Sequence, residues 1–141
     1  MAASKAMIGH GSKFSMGDGG SPEVFTDVAE VTQITPPNFS RDTVDVTHMQ
    51  SPEKWREWVP ALKDAGEVEI IINWIPGDAT QDRLFLSFND DTSNNFRITF
   101  PNAEVWNFLA MCTGFAAEDP IDDKMQATVT FKLSGKPAFL T

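Results

Sequence analysis

Residues 125–133 alternate between apolar and polar side chains, and this pattern constrains the fold more than any other feature of the chain. Successive side chains of a β-strand point to opposite faces, so the pattern predicts a strand with one buried and one wet face. The apolar positions are Met125, Ala127, Val129, Phe131 and Leu133, and the polar positions are Gln126, Thr128, Thr130 and Lys132.

Other segments are also rich in β-branched and aromatic residues, and they predict further strands. A change of phase near Ala29 predicts a β-bulge in the first of them. Residues 105–116 fit a strand or a helix, and Thr113-Gly114 together with their place between strands favours a strand. The predicted segments are residues 24–35, 43–47, 67–75, 96–100 and 105–116.

The segment from Asp78 to Asn89 is ambiguous. Asp78 suits a helix N-cap, and Leu84, Phe85 and Phe88 would share one helical face, yet the same residues fit a strand. The acid-rich opening followed by a basic residue favours a helix. About six strands and one helix predict a mainly β fold, a β-sandwich or β-barrel with one flanking α-helix.

The stretch from Ser40 to Gly66 begins as a strand and continues as a long charged excursion that carries Trp55 and Trp58. Ser51 and Pro52 favour a helix start, whereas Pro60 disfavours continuation of the helix. We therefore expect a long loop after the second strand, with at most a short helical turn. We expect the two indole side chains to be buried, either against the subunit's own core or against a second subunit.

Residues 1–22 hold more than half of the nine glycines of the chain, and we interpret them as a flexible N-terminal arm. Residues 23–141 then form a single β domain. No apolar run approaches the roughly 18 residues that cross a bilayer, and no secretory signal is visible, so no membrane association is expected.

The chain carries 20 acidic and 11 basic residues, a net charge of −9, which argues against binding of nucleic acid through its phosphates. His10 and His48 lie far apart and Cys112 is alone, so neither a metal site nor a disulfide is expected. Cys112 has apolar neighbours and suits a core position. No catalytic motif is present, and neither enzymatic activity nor a cofactor is predicted.

Several short segments, spread in order along nearly the whole chain, resemble the tail tube (major tail) proteins of long-tailed, non-contractile bacteriophages. Each segment is weakly specific, but the ordered set is more so. They are Gly9-x-Gly11-Ser12-x-Phe14, Phe25-Thr26-x-Val28-Ala29-Glu30-Val31-Thr32, Ser40-Arg41-Asp42-x-Val44-Asp45-Val46-Thr47-His48, Asp64-Ala65-Gly66, Phe100-Pro101 and Ala127-Thr128-Val129-Thr130-Phe131-Lys132-Leu133-Ser134-Gly135-Lys136-Pro137.

The resemblance implies a structural virion protein that self-assembles into hexameric rings, stacked as a tail tube through which DNA passes without specific binding. It implies tape measure, tail terminator and tail tip proteins as partners, and assembly in the bacterial host cytoplasm. In such proteins the long loop reaches an adjacent ring, and the N-terminal arm helps to join rings. The resulting candidates for inter-ring contact are Arg41, Asp42, Asp45, His48, Trp55, Arg56 and Trp58, and those for arm contact are Lys13, Phe14 and Asp18.

Two alternative functions are also consistent with the sequence. A secretion-system or baseplate tube or ring protein would share the fold. A monomeric β-barrel that binds a small ligand would also use Phe-rich strands, although no convergent polar set is apparent in the sequence.

Overall fold

The computed structural model describes residues 3–4, 6–20, 22–90 and 93–137. These residues form nine strands, one α-helix and a single 3-10 turn at Pro52–Lys54. The strands are β1 (Lys13–Gly17), β2 (Phe25–Asp27), β3 (Val31–Thr35), β4 (Ser40–Asp45), β5 (Trp58–Asp64), β6 (Glu67–Asn73), β7 (Asn94–Thr99), β8 (Val105–Glu118) and β9 (Gln126–Leu133), and the helix is α1 (Ala79–Asn89).

Seven strands form one antiparallel sheet in the order β2-β1-β7-β8-β9-β6-β3, and β4 and β5 form a separate hairpin. The edge strands β2 and β3 are joined by only residues 28–30. Four extended peptide steps span at most about 14 Å, so the two edges of the sheet must lie near each other. The sheet therefore rolls back on itself, which confirms the predicted mainly β, barrel-like architecture with one flanking helix.

The inside of the rolled sheet is filled by four aromatic rings. Phe96 lies 4.6 Å from Phe131 between ring centroids, and Phe14 lies 5.3 Å from Phe131. Phe108 packs 6.2 Å from Phe96. Cys112 belongs to the same buried cluster, as its apolar neighbours predicted. Burial of each phenylalanine stabilises the fold by about 2–3 kcal/mol, so these rings form the centre of the core.

The interpretation of residues 1–22 as a flexible arm is wrong over Lys13–Gly17, which form β1 between β2 and β7. Phe14 faces Ile98 across the ladder and is fully buried. The sequence signal is weak because the strand is short and glycines lie near both of its ends. Pairing on both sides and burial of Phe14 outweigh this local tendency.

Residues 24–35 form two strands instead of one bulged strand. The chain turns at Ala29 and Glu30, where Glu30 adopts a positive φ of 55°. The amide of Ala29 donates a hydrogen bond to the hydroxyl of Thr80 at 3.0 Å, and the amide of Asn73 donates to the carbonyl of Glu30 at 2.9 Å. The phase change in the sequence thus marks the crossing from one sheet edge to the other.

The prediction of a helix after Asp78 is confirmed by α1. The Asp78 carboxylate accepts hydrogen bonds from the amides of Thr80 at 3.0 Å and Gln81 at 3.3 Å, as an N-cap does. The Thr80 hydroxyl also donates to this carboxylate, and these bonds hold the pKa of Asp78 below its usual value, the hydroxyl contributing most. Leu84 is buried, but Phe85 remains half-exposed, so the apolar face is narrower than expected.

Gln81 fastens the start of α1 to the barrel. Its side-chain amide donates to the carbonyls of Ala29 and Asn73, both at 2.9 Å, and its side-chain oxygen accepts from the amide of Ile75 at 2.8 Å. Gln81 is almost fully buried, so these bonds meet the polar needs of its side chain.

Within the described ranges, no helix is long and apolar enough to cross a membrane. The same residues contain no group of three or more histidine, cysteine, aspartate or glutamate side chains placed to hold a metal ion.

Candidate assembly surface

The β4–β5 hairpin, residues 40–64, is the most exposed part of the fold. Neither strand contains a buried residue, and each pairs only with the other. Trp55 is 71% exposed, Trp58 54% and Leu62 84%. A lone two-stranded hairpin in water is marginally stable at best. Such a hairpin with large exposed apolar side chains indicates a surface that another molecule covers.

The register of the hairpin places apolar side chains on both of its faces. Val44 lies opposite Val59, and Asp45 lies opposite Trp58. Directly opposed residues share a face and neighbouring pairs alternate, so the valine pair and the Asp45–Trp58 pair point in opposite directions. The hairpin can therefore be contacted from two sides.

The predicted long loop is built as a hairpin because its second half, Trp58–Asp64, returns as β5. Pro60 lies within this strand opposite Thr43, and the register shifts between Arg41 and Thr43. Since β5 has a partner strand on one side only, a proline that lacks an N–H is tolerated there. Pro52–Lys54 form one tight turn, but Glu53 has left-handed backbone angles (φ 53°, ψ 24°), so this segment is not the regular helical turn that the sequence allowed.

The base of the hairpin is fixed to the barrel at Gly66. This residue has a positive φ of 80°, and a Cβ there would collide with the Asn38 carbonyl oxygen. Its amide donates to the Asp64 carboxylate at 2.9 Å, and its carbonyl accepts from the Leu133 amide at 3.1 Å. Only glycine fits this conformation and this close approach without strain.

The tip of the hairpin is ordered by polar contacts among His48, Ser51 and Glu57. The Ser51 hydroxyl donates to the Glu57 carboxylate at 2.6 Å and accepts from the His48 amide at 3.0 Å. The His48 Nδ1 lies 2.8 Å from this hydroxyl and 3.3 Å from the Glu57 carboxylate. The amide of Glu57 donates to the Thr47 hydroxyl at 2.8 Å. The tip thus has a defined shape within a single subunit.

A second set of contacts joins Asp45 to Thr47 and Arg56. The Thr47 amide donates to the Asp45 carboxylate at 2.9 Å, and the Arg56 guanidinium lies 3.6 Å from it. The pKa of Asp45 is lowered mainly by the hydrogen bond from the Thr47 hydroxyl, then by the Thr47 amide and by the positive charge of Arg56. The carboxylate is therefore ionised at neutral pH, next to Trp58 at the start of β5.

The structure brings five of the seven inter-ring candidates together at the outer half of the hairpin, namely Asp45, His48, Trp55, Arg56 and Trp58. Arg41 and Asp42 lie at its base. The exposure of both tryptophans excludes the interpretation that they fold back onto the subunit's own core.

The three arm candidates have different roles. Phe14 is a core residue, so a contact between Phe14 and a neighbouring subunit is a wrong prediction. The Asp18 carboxylate accepts from the amides of Gly20 at 2.8 Å and Val24 at 3.1 Å, and these bonds lower its pKa and organise its own loop. Lys13 is exposed and lies 3.8 Å from the Asp27 carboxylate.

Sequence reasoning missed several exposed apolar side chains. Neither Val44 nor Val59 was among the predicted contact residues. Both are exposed because the hairpin packs against no second layer of structure. On α1, Leu86 points away from the buried face and is 63% exposed. A helix that begins at Asp78 and buries Leu84 must leave Leu86 outside, because the two side chains lie about 200° apart around the helix axis.

Residues 8–140 match the model of the lambda phage tail tube protein family. This chain belongs to that family. A tail tube protein is a structural component of a phage or phage-like particle and is not an enzyme. No curated protein sequence matches the chain.

Solved structures similar to this tail tube protein come from phage-like particles. The tail of an empty gene transfer agent particle, refined with helical and C6 symmetry, contains a chain with 20% identity and a TM-score of 0.76, covering 96% of this chain and 100% of that one. A chain of the native gene transfer agent virion has 18% identity and a TM-score of 0.74, with 94% and 97% covered.

A related fold occurs in an extracellular contractile injection system. A chain of its sheath/tube terminator structure has 14% identity and a TM-score of 0.71, covering 96% of this chain and 97% of that one. At such identities these similarities establish the shared fold, and the family match establishes the phage tail tube family.

Proposed function

We propose that copies of this chain self-assemble into hexameric rings, which stack into a tail tube that conducts DNA into the host. The family match and the C6 symmetry of the similar gene transfer agent tail support a ring of six. The proposal includes assembly in the bacterial host cytoplasm, with tape measure, tail terminator and tail tip proteins as partners.

The observation that carries this proposal is the exposed β4–β5 hairpin. Its tip is ordered by hydrogen bonds, yet Trp55 and Trp58 are left largely in water. Tryptophan and arginine are enriched among residues that dominate binding energy at interfaces, and Arg56 lies between the two indoles in sequence. We assign the hairpin to ring-to-ring contact, with Arg41 and Asp42 at its base and His48 at its tip.

The charge of the chain supports passage of DNA without binding. The net charge is −9, and the outward side chains of β6 and β9 are polar except for Ile71, with Glu69 facing Thr130 and Glu67 facing Lys132 across the ladder. A lumen lined by such groups would repel phosphates over roughly 8 Å at physiological salt. Charge reversal of Glu69 should slow DNA ejection and make its rate depend on salt. An unchanged rate and salt dependence would contradict this role.

The packed interior argues against a monomeric ligand-binding barrel. Phe14, Phe96, Phe108 and Phe131 occupy the space that a ligand would need. An injection-system tube would share the fold, but the sequence match is to the phage family.

Negative-stain electron microscopy of the purified chain at rising concentration tests the proposal. We expect rings or tubes with a central channel, and a rise in light scattering above a critical concentration. A protein that stays monomeric at high concentration, also when the tail tip and terminator proteins are added, would contradict it.

A further inference from the structure

A cavity of about 750 Å³ lies where β9 leaves the sheet, beside the base of the β4–β5 hairpin. Three cations, Arg41, Lys63 and Lys136, line this cavity together with the apolar side chains of Phe39 and Pro137. A concentration of positive charge is unexpected in a chain whose net charge is −9. It therefore calls for a negatively charged occupant.

The positive charge of this basic cavity has little internal compensation. Arg41 and Lys63 face each other directly in the β4–β5 ladder, a placement that is destabilising for like charges. Asp64 is the acidic side chain in the lining, and its carboxylate accepts a hydrogen bond from the Gly66 amide. Among the residues that the structure describes, none of the three cations forms an ion pair.

Negative charge is concentrated at the end of β8 and in the turn that leads to β9. In the sequence, Glu118 at the end of β8 and Asp119, Asp122 and Asp123 flank Ile121, whose side chain is fully exposed, and Lys124 follows them. Within the described ranges these four carboxylates also form no ion pair. We call residues 118–123 the acidic turn.

The acidic turn and the basic cavity lie at opposite ends of β9. Gln126, the first residue of β9, pairs with Glu118 beside the turn, whereas Leu133, the last, bonds to Gly66 at the cavity. The seven steps from Gln126 to Leu133, at about 3.4 Å each, separate the two patches by roughly 24 Å. Complementary patches at opposite ends of one molecule favour a head-to-tail contact between copies.

We propose that the acidic turn of one copy docks into the basic cavity of a copy in the adjacent ring, with Ile121 packed against the partly exposed Phe39. This inference rests on the proposed function and names a contact that the hairpin alone does not supply. Copies with a net charge of −9 repel one another, so a local pairing of opposite charges is needed for approach. Because the two patches differ, the contact also gives the tube a direction.

Reciprocal charge reversal tests the docking. The turn variant is Asp122→Lys with Asp123→Lys, and the cavity variant is Lys63→Glu with Lys136→Glu. Each should raise the critical concentration for polymerisation by about tenfold or more, from the loss of two or three charge contacts. The combination of both variants should restore polymerisation, because the charges are again opposite.

General repulsion predicts a different result. The turn variant has a smaller net negative charge than the wild type, so repulsion alone would make it polymerise more readily. Glu104→Lys, a change of an exposed acid in the β7–β8 turn outside both patches, serves as a control and should not raise the critical concentration. Ile121→Ser tests the apolar part of the contact without altering charge, and should also raise the critical concentration.

The outcomes separate this inference from the proposed function. Thermal melts of each variant establish that it is folded. If the wild type forms tubes and the turn or cavity variant forms them equally well, the docking is overturned and the proposed function is left intact. Folded variants that each fail and are not restored by combination would overturn it as well. A wild type that never polymerises would contradict both proposals.

Discussion

Replacement of Trp55 by alanine should block tube formation while leaving the monomer stable. A tryptophan side chain can bury about 250 Å², so the 71% exposure of Trp55 leaves roughly 180 Å² for a neighbouring copy to cover. At about 25 cal/mol per Å², complete coverage would stabilise the assembly by at most about 4.5 kcal/mol per subunit. The critical concentration should therefore rise by up to about a thousandfold.

The matched control is Trp106→Ala, which removes the same side chain from a packed position. Trp106 lies 5.1 Å from Phe100 between ring centroids and also packs on Phe39. Its loss should destabilise the monomer by about 3 kcal/mol or more, which lowers the melting temperature by about 10 °C. Trp55→Ala should lower the melting temperature by only a few degrees.

Sedimentation of polymerised protein at a series of concentrations, with thermal melts of the monomer by circular dichroism, measures both quantities. The reasoning would be refuted if Trp55→Ala lowered the melting temperature as much as Trp106→Ala, since Trp55 would then belong to the core. It would also be refuted if Trp55→Ala formed tubes at the wild-type concentration.

Three further predictions concern the subunit alone. Gly66→Ala should destabilise the subunit by about 1–3 kcal/mol, because of the positive φ of Gly66 and the close contact with Asn38. The matched control is Gly77→Ala, where φ is 90° but the space around a Cβ is open. This variant should lower the melting temperature less. As pH falls below the usual pKa of an aspartate and through the lowered pKa of Asp78, the stability supplied by this N-cap should be lost. The loss should be smaller in Asp78→Asn, which keeps a cap but does not titrate. Burial raises the pKa of the Cys112 thiol, so a thiol reagent should react with it at neutral pH only after denaturation, and rapid labelling of the native protein would contradict its core position.

The parts of the fold that followed from the sequence are those in which local pattern and tertiary environment agree. The alternation of residues 125–133 matches β9, which has neighbours on both sides and one buried face. The helix after Asp78 was predictable because its cap and its buried Leu84 act within a few residues of each other. Local signals of this kind do not depend on the rest of the chain.

The parts that were not predictable depend on partners distant in sequence. Phe14 joins the core only because β7 provides a ladder for β1, and nothing near Phe14 in the sequence reveals that pairing. Pro60 was taken as a breaker, yet it is accommodated because β5 has a partner on one side only.

The candidate assembly surface was likewise predictable from the sequence only in part. The sequence indicated the Ser40 to Gly66 segment and its tryptophans, but Phe14, which it suggested as an arm contact, is buried in the core. Exposure of Val44, Val59 and Leu62 follows from the hairpin having no second layer, which is a property of the whole fold.

The ordered tip of the β4–β5 hairpin has a kinetic consequence. The hydrogen bonds among His48, Ser51 and Glu57 set the shape of the tip before a subunit meets another. Association that requires no rearrangement proceeds at the ordinary rate of about 10⁵–10⁷ M⁻¹s⁻¹, whereas a coupled conformational change slows it. Growth of a tube from such subunits would therefore be limited by their supply, and elongation should stay first-order in subunit concentration.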